Sequence, residues 1–343
     1  MVLELKLQNF LSFKSEVTIS FEATADNTLD EYYVAEPIPG IRVLKMAMIY
    51  GANASGKSNL LKAFDFLKYF VRNIPKERDK KTRFVPFKFD NTSSQPGCFE
   101  IVFIAQKQKH KYVLCIDQEK VLTEKLYYYP GTQPAVVFDR RFDDERQISV
   151  IDFGTKIKIS EQAAEAIQLR TLKNMSVFAA YSQVNLAIPE IEKALKWFNE
   201  QCMSLIDPYT SLTEYSDKHI KSNESLKQFA LEFIREADFN ISNIQFEQEL
   251  MPVADELVKM LENGPLTDEE KERVRREKTM MEKTVFEHSI TRDGNPEFHS
   301  LQKDEESKGT LRYYGLSAPF FNTIEKDAFL PIDEIGSALH PLL

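Results

Sequence analysis

One stretch of the sequence has the residue types and spacing that bind phosphate. Residues 51–58 read Gly-Ala-Asn-Ala-Ser-Gly-Lys-Ser and match the pattern G-x-x-x-x-G-K-[ST]. In this pattern the backbone N–H groups wrap the phosphates, and the N-terminus of the following helix adds its partial positive charge. Lys57 would reach the β- and γ-phosphates of a nucleotide, and Ser58 would be a ligand of Mg²⁺. A glycine turn before a helix is the alternative without chemistry.

A second stretch, residues 328–334, is an apolar run that ends in two carboxylates. Asp333 would hold Mg²⁺ directly or through water, and Glu334 would polarise an attacking water. Many strands end in acidic residues, so this pair gains its meaning from the phosphate loop elsewhere in the chain. Pro331 lies inside the run and cannot donate to a strand ladder, which predicts a bulge or a local loss of pairing.

A third stretch, residues 306–310, reads Glu-Ser-Lys-Gly-Thr and precedes a predicted helix over Leu311–Ile324. Ser-x-Gly-Thr at a helix N-terminus can present a hydroxyl and backbone N–H groups to an anion. By itself this tetrapeptide is a common loop. Its interpretation as an anion-binding element is stronger here, because it precedes the Asp-Glu pair of a chain that also has a phosphate loop.

The phosphate loop needs a strand before it and a helix after it. The mostly apolar run Val43–Ile49 predicts a buried strand, and Lys57–Val71 has the apolar spacing of an amphipathic helix. Val2–Leu7 and Val17–Phe21 alternate apolar and polar residues and predict a hairpin. Short β-rich runs over residues 99–151 predict an antiparallel meander attached to it.

The middle of the chain has a different pattern. Residues 160–238 predict helices, and residues 266–283 mix acidic and basic side chains in a way typical of a solvated helix or coiled-coil arm. Val285–Thr291 predicts a strand. We therefore divide the chain into an N-terminal lobe with the phosphate loop and the meander, a mostly helical insertion, and a C-terminal part with the carboxylate pair, at residues 1–155, 156–300 and 301–343.

Charge and hydropathy exclude several classes of protein. The 343 residues include 44 basic and 53 acidic side chains, a net charge of −9, which disfavours a globally basic nucleic-acid binder and still allows a local basic patch. Residues 76–83 carry five basic and two acidic side chains; solvation is the ordinary interpretation, and contact with a nucleic acid or a partner is the alternative. No signal peptide and no long apolar run is present, so we predict a cytoplasmic protein without a membrane span.

The cysteines and histidines indicate no metal or thiol chemistry. Cys98, Cys115 and Cys202 form no Cys-x-x-Cys pair, and their odd number predicts buried thiols in a reducing compartment. The five histidines lie far apart without metal-ligand spacing. No zinc-protease or nucleophilic-serine motif is visible, which argues against zinc and acyl-transfer sites.

Taken together, these motifs resemble the ATP-binding-cassette superfamily on its SMC/RecF/RecN-like branch. They resemble more closely the bacterial AAA_15/AAA_21 ATPases of abortive-infection and anti-phage systems, among them the RloA/AbiL-type and PARIS (AriA-like) ATPases. The matching segments cover both ends of the chain well and the region 150–300 only loosely. They are residues 7–14, 49–63, 86–90, 306–310 and 332–341.

The resemblance implies an α/β fold, a P-loop NTPase of the ABC-ATPase (SMC/RecF-like) type with an antiparallel β lobe and a helical insertion. It implies that two head domains dimerise around two ATP molecules, so that ATP holds the dimer and hydrolysis releases it. Ser337-Ala338-Leu339 would meet the partner subunit. Lys57 and Glu334 would be catalytic, and Ser58 and Asp333 would bind Mg²⁺. The implied ATP ligands are Gly51, Asn53, Ala54, Ser55, Gly56, Lys57, Ser58, Asn59 and, from the second subunit, Ser307 and Gly309.

Two departures from the family pattern stand out. Lys308 and Thr310 occupy positions where the commonest cassette signature has glycine and glutamine. The family also continues beyond the carboxylate pair with a helix, further strands and a switch histidine, and His340 comes too early to be that histidine. We therefore expect the C-terminal part of the fold to be missing from this sequence, which would impair hydrolysis more than binding.

Three functions stay open at this point. The first is a regulatory or sensor ATPase of a phage-defence system that controls a nuclease-type effector encoded nearby. The second is a DNA-maintenance ATPase of the SMC/RecF type, with DNA as its partner. The third is a hydrolysis-deficient nucleotide-binding fragment. A P-loop kinase or GTPase is a weaker fourth option, because no phosphoacceptor site is apparent.

Overall fold

The computed structural model describes residues 1–237, 240–252, 267 and 278–336. The chain forms two compact units, Met1–Asp207 with Thr323–Asp333 and Pro208–Asn322 with Glu334–Leu343. These units do not follow the ranges 1–155, 156–300 and 301–343, which remain predictions as functional domains. Within the described residues, no helix has the length and apolar character needed to cross a membrane.

The first unit is built on a large antiparallel sheet. Its strands are β1 (Val2–Gln8), β2 (Val17–Ser20), β5 (Gly97–Ala105), β6 (Gln108–Ile116), β7 (Val121–Tyr128), β8 (Ala135–Asp143) and β9 (Ile148–Phe153), and a separate small sheet pairs β3 (Val34–Ile38) with β4 (Ile41–Leu44). Among the described strands the order in the large sheet is β2-β1-β5-β6-β7-β8-β9. The predicted hairpin and meander are confirmed, and β1 joins them by pairing with β5.

The helices from the phosphate loop onward share the hydrophobic core of this sheet, because each of them buries apolar side chains. The helix after the phosphate loop buries Leu60, Ala63, Phe64, Leu67 and Val71, as its spacing predicts. The next helices belong to the same hydrophobic core as the sheet, and Trp197 stacks on Phe103 with 4.2 Å between ring centroids. The helices are α1 (Asp30–Tyr33), α2 (Lys57–Arg72), α3 (Glu161–Arg170), α4 (Val177–Tyr181) and α5 (Pro189–Lys196), followed by the π-helical turn Trp197–Gln201.

His110 on β6 is buried in this core with few polar partners. Its Nδ1 lies 3.0 Å from the Gln108 carbonyl oxygen, and its ring stacks on Phe103. Its Nε2 has no hydrogen-bond partner among the described residues. Burial, helped by the nearby Lys193, lowers the pKa of His110 from 6.5 to about 4, although the hydrogen bond to Gln108 opposes this fall. The folded protein therefore holds this imidazole neutral.

We expect acid to destabilise the first unit through His110. The pKa of His110 is lower in the folded protein than in the unfolded chain. Its contribution to the free energy of unfolding is therefore complete above about pH 6.5 and is lost as the pH falls toward 4. Between pH 7 and pH 4.5 this loss is about 2 kcal/mol. The His110→Leu variant should lack it. Urea unfolding followed by the fluorescence of Trp197, the single tryptophan, measures the difference. The same pH dependence in both proteins would contradict the assignment.

The predicted buried strand Val43–Ile49 is confirmed only at its first two residues, Val43 and Leu44, and is wrong for residues 45–49. β4 ends at Leu44, and residues 45–50 are irregular. Met46, Met48 and Tyr50 are exposed. An apolar run is buried only where another element covers it, and none of the strands that the structure describes pairs with residues 45–50.

The apolar run before the carboxylate pair forms isolated parallel bridges instead of a continuous strand. Cys202 bridges to Phe329 and Ile206 bridges to Ile332. The carbonyl oxygen of Pro331 accepts a hydrogen bond from Ile206 N at 3.0 Å, while its own nitrogen has no proton to donate. The loss of pairing predicted from Pro331 is confirmed.

The second unit combines helices with a small antiparallel sheet. Its elements are α6 (Leu212–Ile220), α7 (Glu224–Glu236), β10 (Ile241–Pro252), β11 (Lys278–Arg292), β12 (Asn295–Gln302) and most of α8 (Lys308–Glu325), with β11 between β10 and β12. Ile234, Ile244, Phe286 and Tyr314 form the centre of its core. The helices predicted over 160–238 and 311–324 are confirmed. The range 156–300, predicted to be mostly helical, also contains this sheet.

The predicted charged helix over 266–283 is wrong where the structure describes it. Residues 278–283 begin β11 and pair with β10, with Lys283 opposite Glu247. The rest of that stretch, apart from Thr267, lies outside the described residues. Buried Val285 and Phe286 anchor the strand in the core, and cross-strand pairing then decides the conformation of the charged residues before them.

The expectation of three free thiols is also corrected. Cys98 on β5 stands opposite Cys115 on β6, and the two form a disulfide. Cys202 is a free, buried thiol, and burial raises its pKa to about 12. The sequence does not reveal the pair because the strand register, and not the spacing of the cysteines, brings the two side chains together.

Candidate functional site

The phosphate loop is an exposed turn that leads directly into α2. Its backbone is left-handed at Ala54 (φ 62°) and at Gly56 (φ 98°). The Lys57 Nζ donates hydrogen bonds to the carbonyl oxygens of Gly51 at 2.8 Å and Ala52 at 2.9 Å. The ammonium group therefore lies across the loop, held by neutral carbonyls that an anionic phosphate would outcompete.

The N-terminus of α2 is uncapped. Its N-cap residue is Gly56, and no side chain accepts a hydrogen bond from the first turn. Ser160, Ser176 and Asn223 cap α3, α4 and α7 with their side chains, whereas α1, α5 and α6 share the lack of a side-chain cap with α2. An uncapped first turn leaves N–H donors and the positive end of the helix dipole available to an anion.

A cavity of about 300 Å³ lies at this turn. Its lining is six consecutive residues that the sequence assigned to the nucleotide, Ala54, Ser55, Gly56, Lys57, Ser58 and Asn59. Gly51 begins the same loop, and a Cβ added to it would lie 3.0 Å from the Ser55 Oγ. The structure thus brings the predicted loop residues together around one opening.

Sequence reasoning missed the residues that pack against the phosphate loop. A Cβ on Gly56 would lie 2.8 Å from the Ser12 Oγ and 3.1 Å from the Phe13 ring, and the Ser12 Oγ accepts a hydrogen bond from Asn59 Nδ2 at 3.0 Å. Buried Asn9 holds this turn by donating to the carbonyl oxygen of Thr92 at 2.8 Å. The resemblance over residues 7–14 marked this segment, but no spacing rule indicates its contact with the loop.

The two carboxylates follow the bridged segment. Asp333 is half-buried, and its backbone N–H donates to the Ile206 carbonyl at 2.8 Å, which fixes the end of the segment. Glu334 is exposed and has a left-handed backbone, with φ 49°. This conformation is uncommon for glutamate, and such strain is concentrated at functional sites.

The hydroxyl of Ser307 caps its own helix. Its Oγ accepts from Thr310 N at 3.0 Å and lies 2.8 Å from the Thr310 Oγ1. The preceding Glu306 is within 2.5 Å of His288 Nε2 on β11, which ties the start of α8 to the sheet. Gly309 lies in the first turn of α8. The predicted partner loop Ser337-Ala338-Leu339 and His340 lie outside the described residues.

The residues of the loop fit a nucleotide with Mg²⁺. Two glycines, Gly51 and Gly56, keep the cradle free of side chains that would crowd Ser55 and Ser12. The candidate metal ligands are the Ser58 hydroxyl and the Asp333 carboxylate, and oxygen ligands of this kind suit Mg²⁺.

A protein-family model matches most of the chain. The family is described as "AAA domain, putative AbiEii toxin, Type IV TA system", and its match covers residues 46–343. The matched region contains the phosphate loop, the Ser307 turn and the carboxylate pair. No curated protein matches the chain.

Proposed function

The chain belongs to this AAA-domain family, AAA_21, and from that premise we propose that it is an ATP-binding regulatory ATPase of a bacterial phage-defence system. The family supports nucleotide binding by a P-loop domain and a setting of the toxin–antitoxin or abortive-infection kind. The finer statements below, which concern hydrolysis, dimerisation, an effector and a cytoplasmic location, are our proposal.

The uncapped first turn of α2, with Lys57 held on the loop carbonyls, is the observation that carries ATP binding. The β- and γ-phosphates would take the N–H donors at the helix start and the Lys57 ammonium, which now donates to the carbonyls of Gly51 and Ala52. For the backbone N–H groups the phosphate is a charged acceptor, and such hydrogen bonds are about twice as strong as neutral ones. For Lys57, whose bonds already have a charged donor, the phosphate adds the attraction between opposite charges.

The chain supplies residues for each part of hydrolysis. Lys57 would stabilise the negative charge that develops on the phosphates, and Glu334 would orient and polarise a water molecule. Ser58 and Asp333 would hold Mg²⁺, which supplies further neutralisation of that charge. The water oxygen forms a bond to the γ-phosphorus, the bond from that phosphorus to the β–γ bridging oxygen breaks, and ADP and phosphate leave.

We further propose that ATP closes a dimer of two such chains. In this arrangement Ser307 and Gly309 of one chain would contact the γ-phosphate held by the loop of the other, as the resemblance to SMC/RecF-like ATPases implies. Ser307 is exposed at the start of α8, which keeps it accessible to a second chain. Hydrolysis would then open the dimer and release control over a partner effector of the nuclease type.

Light scattering of the Glu334→Gln variant tests the dimer and the acid together. We expect the mass to double when Mg-ATP is added, because the variant keeps the phosphate loop and loses the group that polarises water. Phosphate release should fall by about 10²–10⁴-fold relative to the unmodified chain. Lys57→Ala is the control and should stay monomeric with ATP. An unchanged mass despite measurable ATP binding would contradict the ATP-closed dimer. Unchanged phosphate release would show that Glu334 has no role in hydrolysis.

A further inference from the structure

One surface of the first unit is basic although the chain as a whole is acidic. It lies at the opposite end of α2 from the phosphate loop and on the segment that follows. We define this basic surface by seven side chains, Lys68, Arg72, Lys76, Arg78, Lys80, Lys81 and Arg83. Three carboxylates accompany them, those of Asp65, Glu77 and Asp79. The surface therefore carries an excess of four positive charges in a chain of net charge −9.

Part of this surface is a cleft at the end of α2. The cleft has a volume of about 400 Å³ and is lined by Asp65, Lys68, Tyr69, Arg72, Asn73 and Ser204. Lys68 is half-buried and its Nζ donates to the Ser204 Oγ at 3.0 Å. Burial lowers the pKa of Lys68, and the neighbouring Arg72 lowers it further. Two cations thus share one recess with the single carboxylate of Asp65, and a bound anion would balance the remaining positive charge.

The segment after the helix is held in place by buried groups. Asn174 is 2% exposed, and its Nδ2 donates to the carbonyl oxygens of Glu77 at 3.1 Å and Lys80 at 2.7 Å. The Thr82 hydroxyl donates to the Asp117 carbonyl at 2.6 Å. A merely solvated charge run needs no such anchoring. The backbone is held at these points, while the basic side chains of the segment are exposed.

Four cations on this segment are available to bind an anionic ligand. Lys76, Arg78, Lys80 and Lys81 are exposed and form no ion pair within the described part of the chain. Asp79, in contrast, is paired with Lys173 at 3.0 Å. The dipole of α2 explains why cations occupy its last turn. It does not explain the unpaired cations beyond the helix end.

An aromatic ring adds a flat element to the surface. The guanidinium carbon of Arg83 lies 4.6 Å from the centroid of the Tyr69 ring. Arg83 is exposed, and its backbone is held left-handed at φ 65°. A stacked arginine presents both a planar face for a base and donors for a phosphate.

We propose that the basic surface binds the phosphodiester backbone of a nucleic acid. Cations spread along an anchored segment match a ligand with regularly spaced charges, and the Arg83–Tyr69 stack matches a polymer that carries bases. An acidic protein segment would use the charges and leave the stack unexplained. The inference does not rest on the proposed ATPase function, because none of these residues belongs to the phosphate loop.

Fluorescence anisotropy with a labelled 30-nucleotide strand, and with the duplex of the same length, tests this proposal across a salt series. We expect binding that weakens steeply with salt. The R78A/K80A/K81A variant should bind roughly 30-fold more weakly at 50 mM NaCl, and the slope of log K against log[salt] should shrink by about 2. The R78K/K80R/K81R variant keeps the charges and should retain the affinity.

The matched control removes the same side-chain types elsewhere. Lys156, Lys158 and Arg170 are exposed and form no ion pair within the described residues. The K156A/K158A/R170A variant therefore loses the same charge and should bind like the unmodified chain. Equal losses in both triple alanine variants would reduce the effect to bulk charge and overturn the proposal. So would no binding of either nucleic acid at 50 mM NaCl, or equally tight binding of polyglutamate through the same residues.

Discussion

Replacing Lys57 with alanine is expected to weaken ATP binding about 100-fold, because it removes the charged donor that the phosphates would share. The Lys57 ammonium now donates to the carbonyls of Gly51 and Ala52, at 2.8 and 2.9 Å, so it is already positioned over the loop. Hydrogen bonds to charged groups contribute about 1.5–3 kcal/mol each, which sets the scale of the loss. Calorimetric titration with ATP measures the affinity directly.

The control for this prediction lies on the same helix. Lys62 is exposed and forms no ion pair with any residue that the structure describes. Lys62→Ala removes the same charge at a distance from the loop and should leave the affinity within about twofold, since screened surface charges contribute little. If Lys57→Ala and Lys62→Ala bound ATP alike, the loop would not be the nucleotide site.

The second prediction concerns the stability that a buried ion pair gives to the first unit. Arg140 on β8 and Glu124 on β7 are both fully buried, with Arg140 Nη1 3.0 Å from Glu124 Oε2. Arg140 also donates to the Ser149 hydroxyl at 2.9 Å and to the Leu172 carbonyl at 2.9 Å. Glu124 accepts from the Tyr112 hydroxyl and from the Val177 backbone N–H, each at 3.0 Å. The network ties neighbouring strands to the start of α4.

Replacing Arg140 with methionine should lower the free energy of unfolding by about 3–5 kcal/mol, because it leaves a buried carboxylate without its counter-charge. Burial raises the pKa of Glu124, and the Arg140 guanidinium opposes this rise. The double variant Arg140→Met with Glu124→Leu removes both charges and should recover a large part of the loss. Urea unfolding followed by Trp197 fluorescence reports on the unit that contains the pair.

A neighbouring arginine provides the comparison. Arg141 points to the other face of β8 and pairs with Asp152 at 2.7 Å, where both side chains are about 60% exposed. Arg141→Met should therefore cost no more than about 1 kcal/mol, as exposed pairs do. Similar losses for Arg140→Met and Arg141→Met would show that the buried network does not govern stability here.

Local patterns in the sequence predicted much of the fold and of the site. The phosphate loop, the helix Lys57–Arg72 and the strands β1, β2 and β5–β9 follow from spacing and alternation. Such features depend on backbone conformation and on which face of one element is apolar, and both are set by residues within a few positions of each other. The same holds for the helix after Ser307, whose hydroxyl caps it from three residues away.

Contacts between distant segments could not be predicted in this way. Residues 45–50 are as apolar as a buried strand but have no described strand beside them, and Cys98 meets Cys115 only through the register of two strands. The charged residues before Val285 are drawn into β11 by pairing with β10. In each case the outcome depends on what covers or pairs with the segment, which no local pattern contains.

Eight consecutive residues are enough to specify a phosphate loop that opens a helix, because they contain all the chemistry of that motif. The residues that support and surround the loop come from distant parts of the chain, and the three-dimensional packing selects them. Ser12 packs closely against Gly56. Asn174 holds the basic segment by hydrogen bonds to residues more than 90 positions away in the sequence. Burial and long-range hydrogen bonds arise when segments remote in sequence pack together, and that packing positions the residues that the motif leaves unspecified.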